Sequence, residues 1–251
     1  MSAFLSALSF LSILRVPGSR SFDARMVMHF PLVGLLLGGA LVGVDGAAAL
    51  LFPPLLRAMF DVLFLAMVTG ALHLDGLADS ADGLFSHRPK NEMLAIMKDS
   101  CIGVMGAATL GFCLLLKVGA LHGLDGGPAW LWLLFAPALA RSAQVVALVV
   151  MSDARGGESM GSSLYQHKKF HGCLGCAVPL TLPFVFDVRA GLWMLAAFGV
   201  TTALLLIYFH RRLGGMTGDT LGALSETVET AVLIVGAAFH HVTSSIENIS
   251  L

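Results

Sequence analysis

Three aspartates are spaced along His73-Leu-Asp75-Gly-Leu-Ala-Asp79-Ser-Ala-Asp82-Gly83, at the end of a long apolar run, in a chain with only 16 acidic residues. In a helix, Asp75, Asp79 and Asp82 stand at i, i+4 and i+7, which at about 100° per residue gathers them within a sector of roughly 60°. Like charges on one stripe repel. A bound cation relieves that repulsion, and an all-oxygen donor set at rigid spacing suits a hard ion such as Mg2+ or Mn2+. The plainer alternative, a solvated helix face at a membrane boundary, leaves carboxylates unneutralised close to lipid, where they are costly.

The stretch that follows supplies the opposite charge: Arg88, Lys90 and Lys98, then Asp99. A metal beside basic side chains is what transfer of a phosphate-linked group requires, because the metal bridges phosphate oxygens and the bases offset the leaving group's charge. Asp99 can complete the metal shell or act as a general base, or it is a favourable charge at the start of the next helix. Thr217-Gly218-Asp219 opens the last apolar segment and reads either as an N-cap or as a phosphate or metal site, since helix N-termini bind anions. Glu226 and Glu229 lie one to two turns inside that segment, where an unpaired carboxylate is expensive; Arg141 is the partner expected for them. Asp45 and Asp61 read as interface or pore-facing polarity. His167 and His171 flank Lys168 and Lys169 and look like a solvated, phosphate-attracting loop. Cys101, Cys113, Cys173 and Cys176 show no disulfide framework, and reduced thiols are expected.

The elements that position these groups follow from composition. The chain has 251 residues, 57% of them hydrophobic and 12% charged, with mean hydropathy +0.84. That is too apolar for an ordinary soluble domain and predicts a polytopic membrane protein. Apolar runs of about 20 residues select helices over a barrel. Spans are expected at about 29–52, 55–74, 102–122, 129–151, 172–188, 190–209 and 220–242, so that an all-α bundle of six to seven transmembrane helices forms one membrane domain over 1–251. Residues 1–16 are too short to cross and are expected as an interfacial or re-entrant helix; with no basic region before them and no small-residue cleavage site after, they do not read as a signal peptide. Gly34, Gly38, Gly39 and Gly43 thin one face of the first span for close packing against a neighbour, and a homo-oligomer is compatible with this. No nucleic-acid partner is expected.

The connections alternate between two sides. Arg15, Arg20, Arg25, Arg88, Lys90, Lys98, Arg155, Lys168, Lys169, Arg211 and Arg212, eleven of the fifteen basic residues, fall on one of them. By the positive-inside rule that side is cytoplasmic. The Asp motif, the Arg155 loop and the Gly218-Asp219 turn all open onto it and can converge into one site.

Two known patterns come close on spacing. The CDP-alcohol phosphotransferase signature resembles Asp79-x-x-Asp82-Gly83, with Asp99 near a third acid, but Gly103 stands where the fourth acid belongs. Intramembrane prenyltransferases carry two separate aspartate motifs, and the second is absent. Over nearly its full length the chain closely resembles the cobalamin synthase family, adenosylcobinamide-GDP ribazoletransferase. The blocks are Phe10-Leu-Ser-Ile-Leu-Arg15-Val-Pro17, Phe30-Pro31-Leu-Val-Gly34, the Asp motif, Ile96-Met-Lys98-Asp99-Ser100 with Ile102-Gly103, and Leu213-Gly214-Gly215-Met-Thr217-Gly218-Asp219-Thr-Leu-Gly-Ala. The chain departs from the family at Cys101, where an arginine is usual, and matches loosely around Arg155. The resemblance implies assembly of the vitamin B12 nucleotide loop in a bacterial inner membrane. Adenosylcobinamide-GDP is joined to alpha-ribazole or its 5′-phosphate, GMP leaves, and Mg2+ is required. On that basis Asp75, Asp79 and Asp82 hold Mg2+ on the pyrophosphate, Asp82, Asp99 and Lys98 take catalytic duty, and Asp219 joins the metal or acts as base. Arg88, Lys98, Thr217 and Gly218 bind the nucleotide phosphates. A rival of another class is a cation-coupled transporter with Glu226 and Glu229 in its pathway.

Overall fold

The computed structural model describes residues 3–15, 24–156, 164 and 173–249; Val16, Pro17, Arg20, Asp23, Glu158 and the stretch holding His167, Lys168, Lys169 and His171 lie outside them. The described residues are helical: α1 (Ala3–Leu11), a 3-10 turn (Ala24–His29) running into α2 (Phe30–Ala49), α3 (Pro54–Val68), α4 (Leu72–Leu84), α5 (Lys90–Ile96), α6 (Val104–His122), α7 (Ala129–Val150), α8 (Ala177–Thr181), α9 (Pro183–Phe186), α10 (Val188–Leu213) and α11 (Gly218–Ile249). Among the described residues five helices are long and apolar enough to cross a membrane, Arg25–Ala49, α6, α7, α10 and Gly218–Ile246, and the bent pair α3–α4 would make a sixth. The chain is an all-α, multi-pass membrane protein.

Two expected spans take another form. The run 55–74 does not continue as one helix into the Asp motif, because α3 ends at Val68 and α4 leaves it at 89°. Gly70 (φ 60°) and Ala71 (φ 56°) are both left-handed, a conformation no helix propagates, and Thr69 Oγ1 closes the end of α3 by donating to Leu65 O at 2.9 Å. With 15 residues, α3 is about 22 Å long, short of the hydrocarbon thickness. Neither does 172–188 form a helix long enough to span. Pro179 and Pro183 each remove a backbone donor, and the segment breaks into α8 and α9. It still follows α7: Cys176 Sγ meets Ser142 O, and Phe186 packs edge-on to Trp130 at 5.1 Å. The twelve residues separating Trp130 from Ser142 correspond to about 18 Å of helix. Five to six spans thus stand where six to seven were expected, because the runs 55–74 and 172–188 are both broken. α1, nine residues and about 14 Å, is too short to cross and packs Phe10 on Phe30.

α7 is the central helix, with 78% of its apolar window buried against 28% for α6 and α10. The glycine face of α2 finds its neighbour here. A Cβ on Gly34 would lie 2.6 Å from Ala138 Cα, and one on Gly38 would strike the Leu134 carbonyl, so the α2 and α7 backbones touch. Gly43, by contrast, faces open space. At the end of the bundle away from the Asp motif, Arg57 binds Asp45 at 2.9 Å and Asp125 at 3.0 Å, with the buried Asp61 close to both Asp45 and Arg57. Asp45 and Asp61 thus belong to a clamp joining α2, α3 and the turn before α7. An apolar groove of about 570 Å3 between α2 and α3, lined by Val44, Phe60, Phe64 and Met67 among others, has no ionisable side chain.

Candidate functional site

The Asp motif is helical, as its spacing predicts, and α4 carries Asp75, Asp79 and Asp82 along one open stripe while its other faces bury His73, Leu77, Ser80 and Leu84. Small residues let α4 come close to its neighbours. A Cβ on Gly76 would lie 2.7 Å from Asp219 O, and one on Gly83 would lie 2.6 Å from Met97 Cγ. The first contact lays the stripe against the start of α11. The second folds the loop after α5 over the other end.

Asp82 is anchored by that loop. Its Oδ2 accepts from Gly103 N at 2.6 Å and its Oδ1 from Gly106 N at 2.8 Å, so a carboxylate from α4 caps the N-terminus of α6 from outside. A Cβ at either glycine would collide with this carboxylate. Gly103, which disqualifies the CDP-alcohol pattern, is here the residue that lets Asp82 reach the α6 amides. Asp99 sits on the same loop, exposed, accepting from Cys101 N at 3.1 Å.

Asp219 arrives from α11. Thr217 is the N-cap, buried, with its Oγ1 accepting from Thr220 N at 3.1 Å; its side chain is spent on the cap, and the exposed Gly218 presents the bare start of the helix. Gly214 (φ 69°) ends α10 and turns the chain so that Met216 pairs with the 152–154 segment. Ala154 N donates to Met216 O at 2.8 Å and Met216 N to Ser152 O at 2.9 Å. That bridge delivers Arg155, whose Nη2 donates to Asp219 Oδ2 at 2.7 Å. The three connections expected to converge do so.

The result is a crowd of negative charge. Asp79, past the bend and outside the straight spans, has its carboxyl pushed up to about 6 by burial first and then by Asp75, Asp219 and Asp82, with Arg155 the opposing charge. Among the described residues no three His, Cys, Asp or Glu side chains stand in a metal-ready arrangement. The carboxylates are gathered, not closed around a point. The basic residues expected beside them are dispersed: Arg88 pairs with Glu92 at 2.8 Å on the surface, Lys98 is exposed, and Arg212 donates to Leu84 O at 3.1 Å.

Beneath the stripe lies a second set of charges. Arg141 Nη1 binds Glu229 Oε2 at 2.6 Å, as the sequence suggested, and Lys117 Nζ binds Glu226 at 2.5 Å and Glu229 at 2.7 Å, all of them buried. Arg141 Nη2 also stands 3.5 Å from His73 Nδ1, the first residue of the motif. Lys117 was not expected here. The available signal was that it is the only charged side chain in the 102–122 run, where a cation needs a buried acid. None of the four cysteines forms a disulfide.

Fold and site together define a multi-pass α-helical membrane protein with an acid-lined face built by α4, the start of α11 and two loops. The chain belongs to the cobalamin-5-phosphate synthase family, which it matches over residues 3–237. It is 39% identical to the adenosylcobinamide-GDP ribazoletransferase of Roseiflexus sp. (strain RS-1), over 90% of this chain and 86% of that protein. The enzyme of the same name from Geotalea daltonii is 39% identical over 92% and 95%, and that from Brevibacillus brevis 35% over 94% and 97%. No solved structure matches it.

Proposed function

We propose that the acid-lined face joins adenosylcobinamide-GDP to alpha-ribazole or its 5′-phosphate, with release of GMP, by Mg2+-dependent phosphoryl transfer at the cytoplasmic face of a bacterial inner membrane. The observation that carries this reading is the charge imbalance among the described residues: Asp75, Asp79, Asp82 and Asp219 converge from two helices, with the guanidinium of Arg155 opposing them. A polyanionic substrate approaches such a face only with a cation. The donor set fits Mg2+: Asp75 and Asp79 make no hydrogen bond or ion pair among the described residues, and Asp82 keeps lone pairs beyond its two amide contacts. When bound, Mg2+ would supply charge neutralisation on the pyrophosphate oxygens.

The chain's own groups account for the rest. A ribose hydroxyl oxygen of the acceptor forms a bond to the phosphorus attached to cobinamide, and the bridging P–O bond breaks with its electron pair passing to GMP. Asp99 is assigned the hydroxyl proton, from its exposed position on the loop that feeds Gly103 to Asp82. Lys98, exposed beside it in sequence, and Arg88, exposed on the surface before α5, attract the departing nucleotide. The basic bias of the connections supports the cytoplasmic orientation. Transport loses its main support, because Glu226 and Glu229 are buried and paired with Lys117 and Arg141 within the bundle.

The test is GMP release by the purified protein in detergent, where no sealed compartment exists. Wild-type turnover that needs Mg2+ and falls at least about 100-fold in Asp79→Asn is expected. Turnover indifferent to chelation, or preferring a cytidine nucleotide, would overturn the proposal.

A further inference from the structure

We infer that Arg155 is a phosphate-binding residue of this site, held ready by Asp219 and exchanging that carboxylate for a phosphate oxygen of the nucleotide substrate. The assignment rests on the phosphoryl-transfer function proposed above.

The base of the side chain is fixed. Residues 152–154 are bridged to Met216, Gly215 is pressed so closely on Ala154 that a Cβ there would lie 3.0 Å from its nitrogen, and Arg155 N donates to Asp153 Oδ1 at 2.9 Å. Arg155 therefore stays at the mouth of α11, beside the exposed Gly218. Its tip is less committed. Nη2 makes the one contact with Asp219, while Nε is buried and has no partner. A guanidinium offers five donors in a planar fork that suits two oxygens of a phosphate at once, and a buried N–H without an acceptor is costly. The pair with Asp219 thus leaves part of the fork unused.

Among the described arginines beside the stripe, the others are committed elsewhere. Arg88 is tied to Glu92 and Arg212 to the Leu84 carbonyl, while Arg155 is the cation whose charge opposes Asp79. Asp219 gains from the exchange as well. Released from Arg155, it becomes a fourth carboxylate free to face a cation, still tethered through Thr217 Oγ1 at 3.4 Å. Substrate binding then replaces one ion pair by two: guanidinium with phosphate, and carboxylate with cation.

Arg155→Lys keeps the charge and the ability to pair with Asp219 but loses the fork. It is expected to raise KM for adenosylcobinamide-GDP at least 10-fold, to weaken competitive inhibition by GMP to a similar degree, and to leave KM for alpha-ribazole within twofold. Arg155→Gln is expected to lose about 100-fold in kcat/KM for the nucleotide substrate. The double variant Arg155→Gln/Asp219→Asn separates this from a merely structural pair. Read as GMP binding in chelator, where cation ligation by Asp219 plays no part, removing both charges restores wild-type affinity if Arg155 serves only to neutralise Asp219, and leaves it weakened if Arg155 binds phosphate. Wild-type KM and GMP inhibition in Arg155→Lys, or rescue in the double variant, would overturn the assignment. Wild-type protein that releases no GMP would instead remove the function on which it stands.

Discussion

The molecule holds two groups of charges that share α11, and they are built on opposite principles. In the buried group, Lys117 and Arg141 face Glu226 and Glu229, two cations against two anions, with side-chain exposures of 1–6%. At the acid-lined face, four carboxylates share one guanidinium, and Asp75 is exposed while the others are half-buried. A balanced set sealed from water is a structural tie, since each ion's desolvation is offset by its partners. An unbalanced set open to water is one that the cation proposed above would offset. His73 joins the two: it lies against Arg141 at 3.5 Å and begins the helix that carries the stripe. The tie therefore positions the stripe without taking part in its charge.

This contrast breaks most visibly at Glu229. Glu229→Leu strands Arg141 and leaves Lys117 with one carboxylate, and it should cost about 3–5 kcal/mol, read as a large fall in Tm in detergent, with activity lost alongside. Substitution at the face should behave in reverse. Asp79→Asn is expected to cut GMP release at least about 100-fold while Tm of the metal-free protein holds or rises, because a carboxyl crowded by Asp75, Asp219 and Asp82 is removed.

The same crowding sets a pH dependence of known sign. A carboxyl whose folded value lies near 6, above its ordinary 3.8, binds more protons folded than unfolded between those values, so its contribution to stability falls as pH rises through that window. The Tm difference between Asp79→Asn and wild type in chelator should be near zero at pH 4 and complete above about pH 7. Mg2+ should diminish it. A smaller effect is expected at Gly106→Ala, where a methyl group collides with Asp82 and loosens the cap on α6; about 1–3 kcal/mol, measured by denaturation, would fit. Smallest is Arg88→Ala, whose partner Glu92 is as exposed as itself; stability should change by less than about 1 kcal/mol.

Much of this was legible in the chain. The i, i+4, i+7 spacing of Asp75, Asp79 and Asp82 anticipated the stripe on α4, and the side shared by the basic connections anticipated the meeting of the Asp motif with Arg155 and Asp219. Arg141 was readable as a partner of Glu229, because an acid in a span needs one. The roles of Gly103 and Gly106 as donors to Asp82 were not, for a backbone amide leaves no mark on residue type. Nor was the turn at Gly70 and Ala71, since an alanine at φ 56° carries no sequence signal.

Sequence by itself determined the helical, multi-pass class and which faces carry acid, because those depend on hydropathy, length and a period of 3.6 residues; where a run breaks, as at Gly70 and Ala71, was decided by the fold. Tertiary structure alone decided which charges are satisfied. Whether a carboxylate finds an amide, a lysine or nothing depends on distances between helices far apart in the chain. The buried acids of α11 thereby became ties, Asp82 became a cap on α6, and Asp75 and Asp79 remained without a partner among the described residues.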